Sequence, residues 1–199
     1  MKTQKPFSVL HWTLLNLAGF VLGIILILLL AGIEEGLKTD YQTPLGFSMG
    51  LCIPFMQWLL LRKHVEKSFN WVWISVIAMT SVFLLVDILT PIFKLNIEYL
   101  MYPSYIACCL LTGYLQVRYI LSKVSIKAVL WNAYNLVGWL ACVLLTSVVY
   151  LHNLKLWDRN TEVIVNMTAF ILCGPALGYI TGIGVKKILE SKKTEQVDK

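Results

Sequence analysis

The chain has 199 residues, 58% of them hydrophobic, with a mean hydropathy of +0.71 and a formal net charge of +6. A soluble domain uses roughly 45–50% apolar residues, so this composition excludes an ordinary water-exposed fold. The basic residues stand in short clusters between apolar runs, a distribution that argues against nucleic acid as the partner and for a lipid bilayer.

Crossing a hydrocarbon core takes about 20 helical residues at ~1.5 Å each. Six runs meet that length: Ser8–Ile33, Thr43–Leu61, Trp71–Phe93, Tyr102–Ile120, Ile126–Leu151 and Val163–Ile188. The expected fold class is therefore an all-α integral membrane protein with six transmembrane helices, a single domain over residues 1–189. The remaining segment, Glu190–Lys199, is charged and has Val197 as its one apolar residue; it is expected to be a disordered tail.

The first run carries Trp12, Asn16, Gly19 and Gly23 on one helical face, at i, i+4, i+7 and i+11. It is too long for the apolar core of a signal peptide and is expected to stay as a helix. The second run carries Gly46, Gly50, Pro54 and Gln57, and Arg62, Lys63 and His64 follow it. The third repeats the first pattern with Trp71, Ser75 and Ala78. The fourth offers Cys109, Gly113 and Gln116, the fifth Trp131, Asn135, Gly138 and Cys142, and the sixth Gly174, Gly178 and Thr181. The three tryptophans lie 59 and 60 residues apart, a fixed period that signals internal duplication. Gln57 and Gln116 are separated by 59 residues, and Gln116 and Thr181 by 65, the extra length falling in the Tyr150–Glu162 loop. This predicts three tandem helical hairpins, roughly 7–66, 67–126 and 127–190. Each holds two crossings, so all three insert in one orientation about a pseudo-threefold axis, unlike the inverted repeats of many transporters.

The motif GxxxGxxQWxxLR followed by paired tryptophans, with W-x-x-x-N-x-x-G on the partner helix, resembles a group of small multi-pass proteins of bacteria, cyanobacteria among them. Here the match runs over Gly50, Gln57, Trp58, Arg62, Trp71 and Trp73, and returns at Trp12–Gly19 and Trp131–Gly138. The second repeat departs from it, with Val117 in the place of Trp58 and Cys109 in that of the first glycine. The resemblance implies a fold and adds no function; the expected location is the cell (plasma or inner) membrane of a bacterium.

Topology follows from charge. Thirteen of the 17 Lys and Arg residues fall at the termini and in the second and fourth loops; only Lys38, Lys94, Lys155 and Arg159 lie on the other side. The positive-inside rule then puts both termini in the cytoplasm.

Three sets of residues stand out. Gly19, Gly50, Pro54, Gly113, Gly138, Gly174 and Gly178 are expected to pack helix on helix, because small residues permit close approach where lipid tails are as apolar as leucine. Pro54 also offers a hinge, since proline frees a carbonyl one turn earlier. Asn16, Gln57, Ser75, Gln116, Asn135 and Thr181 form a candidate polar layer one to two turns below the cytoplasmic interface. They serve either as interhelical glue or as the lining of a wet vestibule; glue is the favoured reading. Asp87 is the one carboxylate inside a span, about 24 Å of helix beyond Trp71, where solvation at the outer interface or a bond with Lys94 would hold it.

The five cysteines all fall inside apolar runs and read as free packing residues. His11, His64 and His152 are scattered, and the sequence has no HExxH, Gly-x-Ser-x-Gly, phosphate loop or CxxC. No enzyme, metal or cofactor is expected. Two functions remain in view: a membrane interaction or scaffold protein, acting on a protein partner or as a homo-oligomer, and a small channel or carrier for a neutral or weakly polar solute.

Overall fold

The computed structural model describes residues 6–37, 41–153 and 159–197. Among them the chain is helical and holds no strand. Six helices follow in order: α1 (Val9–Leu37), α2 (Thr43–Leu61), α3 (Asn70–Phe93), α4 (Ile97–Tyr119), α5 (Leu130–Asn153) and α6 (Arg159–Val197). Each contains a segment long and apolar enough to cross a membrane. Two short 3-10 turns, Leu121–Lys123 and Ile126–Val129, join α4 to α5.

The helix ends have local causes. The Ser8 hydroxyl accepts from His11 N–H at 3.3 Å and caps the start of α1. Ser125 is extended and accepts from Lys127 N–H, so the stretch expected to begin the fifth span is a 3-10 turn before α5. Lys94 adopts a left-handed conformation at φ 51° and closes α3, its N–H donating to Thr90 O. The segment expected to be a disordered tail is helical through Val197. Its Glu, Lys and Gln residues are good helix formers, and Lys186 pairs with Glu190 at 3.8 Å, one turn on. The basic residues Lys38, Lys155 and Arg159 assigned to the outer side, with His152, lie outside the residues whose side chains are described.

Each helix packs against the next in sequence, and α6 returns to α1, closing a ring. The interior of the ring holds two apolar clusters, one above the other. Trp12, Leu61, Trp71, Leu121, Trp131, Val185 and Ile188 fill the end bearing the α2–α3 and α4–α5 connections. Phe20, Met49, Ile53, Met79, Phe83 and Leu177 fill the middle, with Cys108, Cys142 and Cys173. Outward faces are apolar as well: Leu14, Leu29, Ile77 and Leu144 are all exposed. In water such a surface would drive association; in hydrocarbon it is the expected one.

Asp87 explains how α2 begins. The N-cap residue Gln42 supplies no side-chain cap. Instead the Asp87 carboxylate reaches across from α3, accepting from Gln42 N–H at 2.7 Å and from Thr43 N–H at 2.8 Å. The Thr43 hydroxyl donates to it too. An anion there satisfies donors that have no partner within the helix and meets the positive end of the α2 dipole. Asp87→Ala is expected to cost about 1–3 kcal/mol, the range for losing charge-assisted capping bonds. Thermal unfolding in detergent, compared with Lys94→Ala, checks it: an equal effect of the two would make the Asp87 contacts incidental.

Candidate functional site

The geometry of interest is built on three tryptophans. Trp12, Trp71 and Trp131 come from α1, α3 and α5 and are 0%, 0% and 1% exposed. They meet inside the ring: Trp12 lies edge-on to Trp71 at 6.4 Å between ring centroids, and Trp71 is tilted against Trp131 at 5.1 Å. A buried indole N–H needs an acceptor. Each finds one on the even-numbered helix next to it. Trp71 Nε1 donates to Gln57 Oε1 at 2.8 Å, Trp131 Nε1 to Gln116 Oε1 at 2.8 Å, and Trp12 Nε1 to Thr181 Oγ1 at 3.0 Å.

The acceptors pass the chain of bonds onward. Gln57 Nε2 donates to Asn16 Oδ1 at 2.9 Å, and Asn16 Nδ2 donates to Trp12 O. Gln116 Nε2 donates to Ser75 Oγ at 2.9 Å, and the Ser75 hydroxyl donates to Trp71 O. One connected network therefore runs Thr181, Trp12, Asn16, Gln57, Trp71, Ser75, Gln116, Trp131 and touches every helix of the ring.

Asn135 stands apart from it, donating to Cys109 O at 3.0 Å. The cause is chemical. A glutamine can accept from an indole and still donate with its amide; the Thr181 hydroxyl has a single proton and gives it to Leu177 O. Thr181 therefore has no proton to donate to Asn135, in the way that Gln57 donates to Asn16 and Gln116 to Ser75. All six residues of the polar layer are buried.

The small residues sit where helices cross. A methyl group built on Gly19 would come within 2.7 Å of Ile53 Cα, and one on Gly50 within 3.0 Å of Ser75 O. Gly174 and Gly178 face Leu17, Thr13 and Asn16 of α1, Gly138 faces Leu177, and Gly113 faces Asn132 and Asn135. Pro54 is buried inside α2, which continues through it. Cys142 and Cys173 are free, each thiol directed at the other's carbonyl oxygen at 3.5 and 3.7 Å.

Beyond the indoles lies a cavity of about 30 Å³ lined by Gln57, Ser75, Thr112, Gln116 and Asn135 on its polar side and by Pro54, Met79 and Leu177 on its apolar side. At ~10–15 Å³ for each water, it has room for about two. The Thr112 hydroxyl, on a residue 7% exposed, has no protein hydrogen-bond partner.

No protein-family model, curated protein or solved structure matches the chain. The site must be read from its own chemistry. Among the described residues no three His, Cys, Asp or Glu side chains come together as a metal-ligating group. What the arrangement can do is join six helices through neutral hydrogen bonds.

Sequence spacing marked the tryptophans as repeat positions but not as donors to the polar layer. Thr112 carried no signal, because nothing in its spacing matches the polar positions of the other helices.

Proposed function

We propose that this chain is a multi-pass membrane protein of three tandem hairpins, serving as a membrane interaction or scaffold protein rather than as an enzyme. It presents a rigid ring to a protein partner or to further copies of itself. Support for the repeat comes from the recurring indole-to-acceptor bond at Trp12, Trp71 and Trp131. The observation that carries the scaffold reading is that these three rings pack against one another across the interior, with their polar neighbours bonded to one another. A conduit requires polar groups free to replace a solute's hydration; here all six residues of the polar layer take part in hydrogen bonds between helices.

Purification followed by native mass spectrometry tests the proposal, with proteoliposome flux of glycerol and urea as the counterpart. A stable protein complex or homo-oligomer without flux is the expected result. Flux from this chain alone would favour the second reading, a carrier for a small neutral solute, for which the cavity beside Thr112 is the supporting feature.

The orientation proposed is both termini cytoplasmic, from the bias of basic residues toward one side. Reporter fusions at Lys38 and Lys155 are expected to read external and at Lys67 internal. A reversal at any of the three overturns the six-crossing topology.

A further inference from the structure

A second cavity, of about 330 Å³, opens at the end of the ring that carries the α2–α3 and α4–α5 connections. Its apolar floor is Val65, Ile120 and Val124, all buried. The rim is polar: Lys67 and Asn70 come from the α2–α3 side, and Tyr119 and Lys123 from the end of α4 and the turn after it. Glu66 adds one carboxylate. Among the described residues neither Lys67 nor Lys123 forms an ion pair.

We infer that this cavity binds a monoanionic phosphodiester, as carried by the headgroup of an anionic phospholipid. The inference rests on reading the helices as membrane-spanning, which puts this end at the headgroup level of the basic face. Two lysines against one glutamate leave the rim with a charge of one positive unit, matching a phosphodiester better than a doubly charged phosphomonoester. Lysine ammoniums donate to phosphate oxygens from any direction, and the Asn70 amide and Tyr119 hydroxyl add neutral donors. Glu66 accepts from a headgroup hydroxyl or ammonium, so a glycerol headgroup suits the rim where a choline headgroup, with no donor, does not. The apolar floor takes the first carbons of the lipid. Basic pockets between spanning helices at the cytoplasmic face are a recognised form of headgroup site.

Lys67 provides a clean variant. It is held at φ 51°, a left-handed conformation that costs a residue with a Cβ and costs glycine nothing. Lys67→Gly removes the ammonium while suiting the backbone. Lys94, also at φ 51° but at the other end of α3, gives the matched control in Lys94→Gly.

The experiment is native mass spectrometry of the full chain in detergent with added phosphatidylglycerol or phosphatidylcholine. Carbonate extraction of the host membranes checks membrane insertion separately. The wild type is expected to retain phosphatidylglycerol preferentially. Each ammonium removed, by Lys67→Gly or Lys123→Gln, should weaken that retention about fivefold, and Lys94→Gly should leave it unchanged. Displacement of the lipid by millimolar glycerophosphoglycerol, a soluble monoanionic phosphodiester with the same headgroup, would assign the site to a free phosphodiester instead of a lipid. Equal retention by wild type and the Lys67→Gly/Lys123→Gln variant, or equal loss in Lys94→Gly, overturns the inference. Release of the chain by carbonate would instead defeat the membrane reading itself.

Discussion

Trp71→Ala is expected to destabilise the protein by about 3–5 kcal/mol, the scale of deleting a fully buried large aromatic side chain. Trp71 is the middle ring of the three, in contact with both Trp12 and Trp131, so its removal leaves a cavity bordered by α1, α3 and α5. Trp71→Phe separates packing from hydrogen bonding. It keeps most of the ring and deprives Gln57 Oε1 of its donor. Losing a buried partner costs about 1–3 kcal/mol in soluble proteins, while cross-helix bonds in membranes average only ~0.6 kcal/mol. The lower value applies here, because a helix pulled from the bundle in lipid finds other partners. Trp71→Phe should therefore cost about 1 kcal/mol, well below Trp71→Ala. Chemical or thermal unfolding in detergent reads both. Near-equal effects would mean that the network, and not ring packing, holds the helices.

Gly178→Leu is expected to cost about 1–3 kcal/mol or more, the range for overpacking a dense contact. Any Cβ at this position would lie 2.8 Å from both Thr13 Cα and Asn16 Cβ. Backbone cannot rotate aside as a side chain can, so α6 must move off α1. That movement also pulls Thr181 away from Trp12 Nε1 and opens the ring where its last helix meets its first. Gly32→Leu is the control: no neighbour lies within 4 Å of a Cβ there, and its effect should stay within about 0.5 kcal/mol. A melting temperature unchanged by Gly178→Leu would place this face outside the helix contacts.

How far these features can be read from the sequence depends on the kind of information involved. The span Thr43–Leu61 coincides with α2, because Pro44 at its start and the basic cluster at its end punctuate it on both sides. Helix α4 begins at Ile97, five residues ahead of the expected Tyr102, since its first turn carries Glu98 and Tyr99, which hydropathy alone discards. Spacing at i, i+4 and i+7 identified which residues face inward. It could not identify partners, which depend on the relative depth of two helices. Gln57 reaching Trp71 on one neighbour and Asn16 on the other is a fact of register between helices. The isolation of Asn135 was latent in the sequence, since position 181 holds threonine where its counterparts hold glutamine, but its meaning appears only when the donors are counted. Asp87 was legible as unusual and not as a cap, because its partners are backbone N–H groups and leave no trace in a side-chain pattern.

Thiol accessibility at the polar layer decides between a packed network and a wet vestibule. In a variant lacking the five native cysteines, Asn16, Gln57, Ser75, Gln116, Asn135 and Thr181 are replaced singly by cysteine. Each is then exposed to a membrane-impermeant maleimide from the side of the α2–α3 loop. Ser75→Cys and Thr181→Cys weigh most, being nearly isosteric and so least disruptive. Lys63→Cys, in the exposed turn after α2, reports full reactivity. Protection at all six positions beside rapid labelling of Lys63→Cys is the result expected of a closely packed ring whose polar groups are buried against one another. Labelling of Ser75→Cys and Thr181→Cys at a rate near that of Lys63→Cys would contradict it and make the interior a water-filled path.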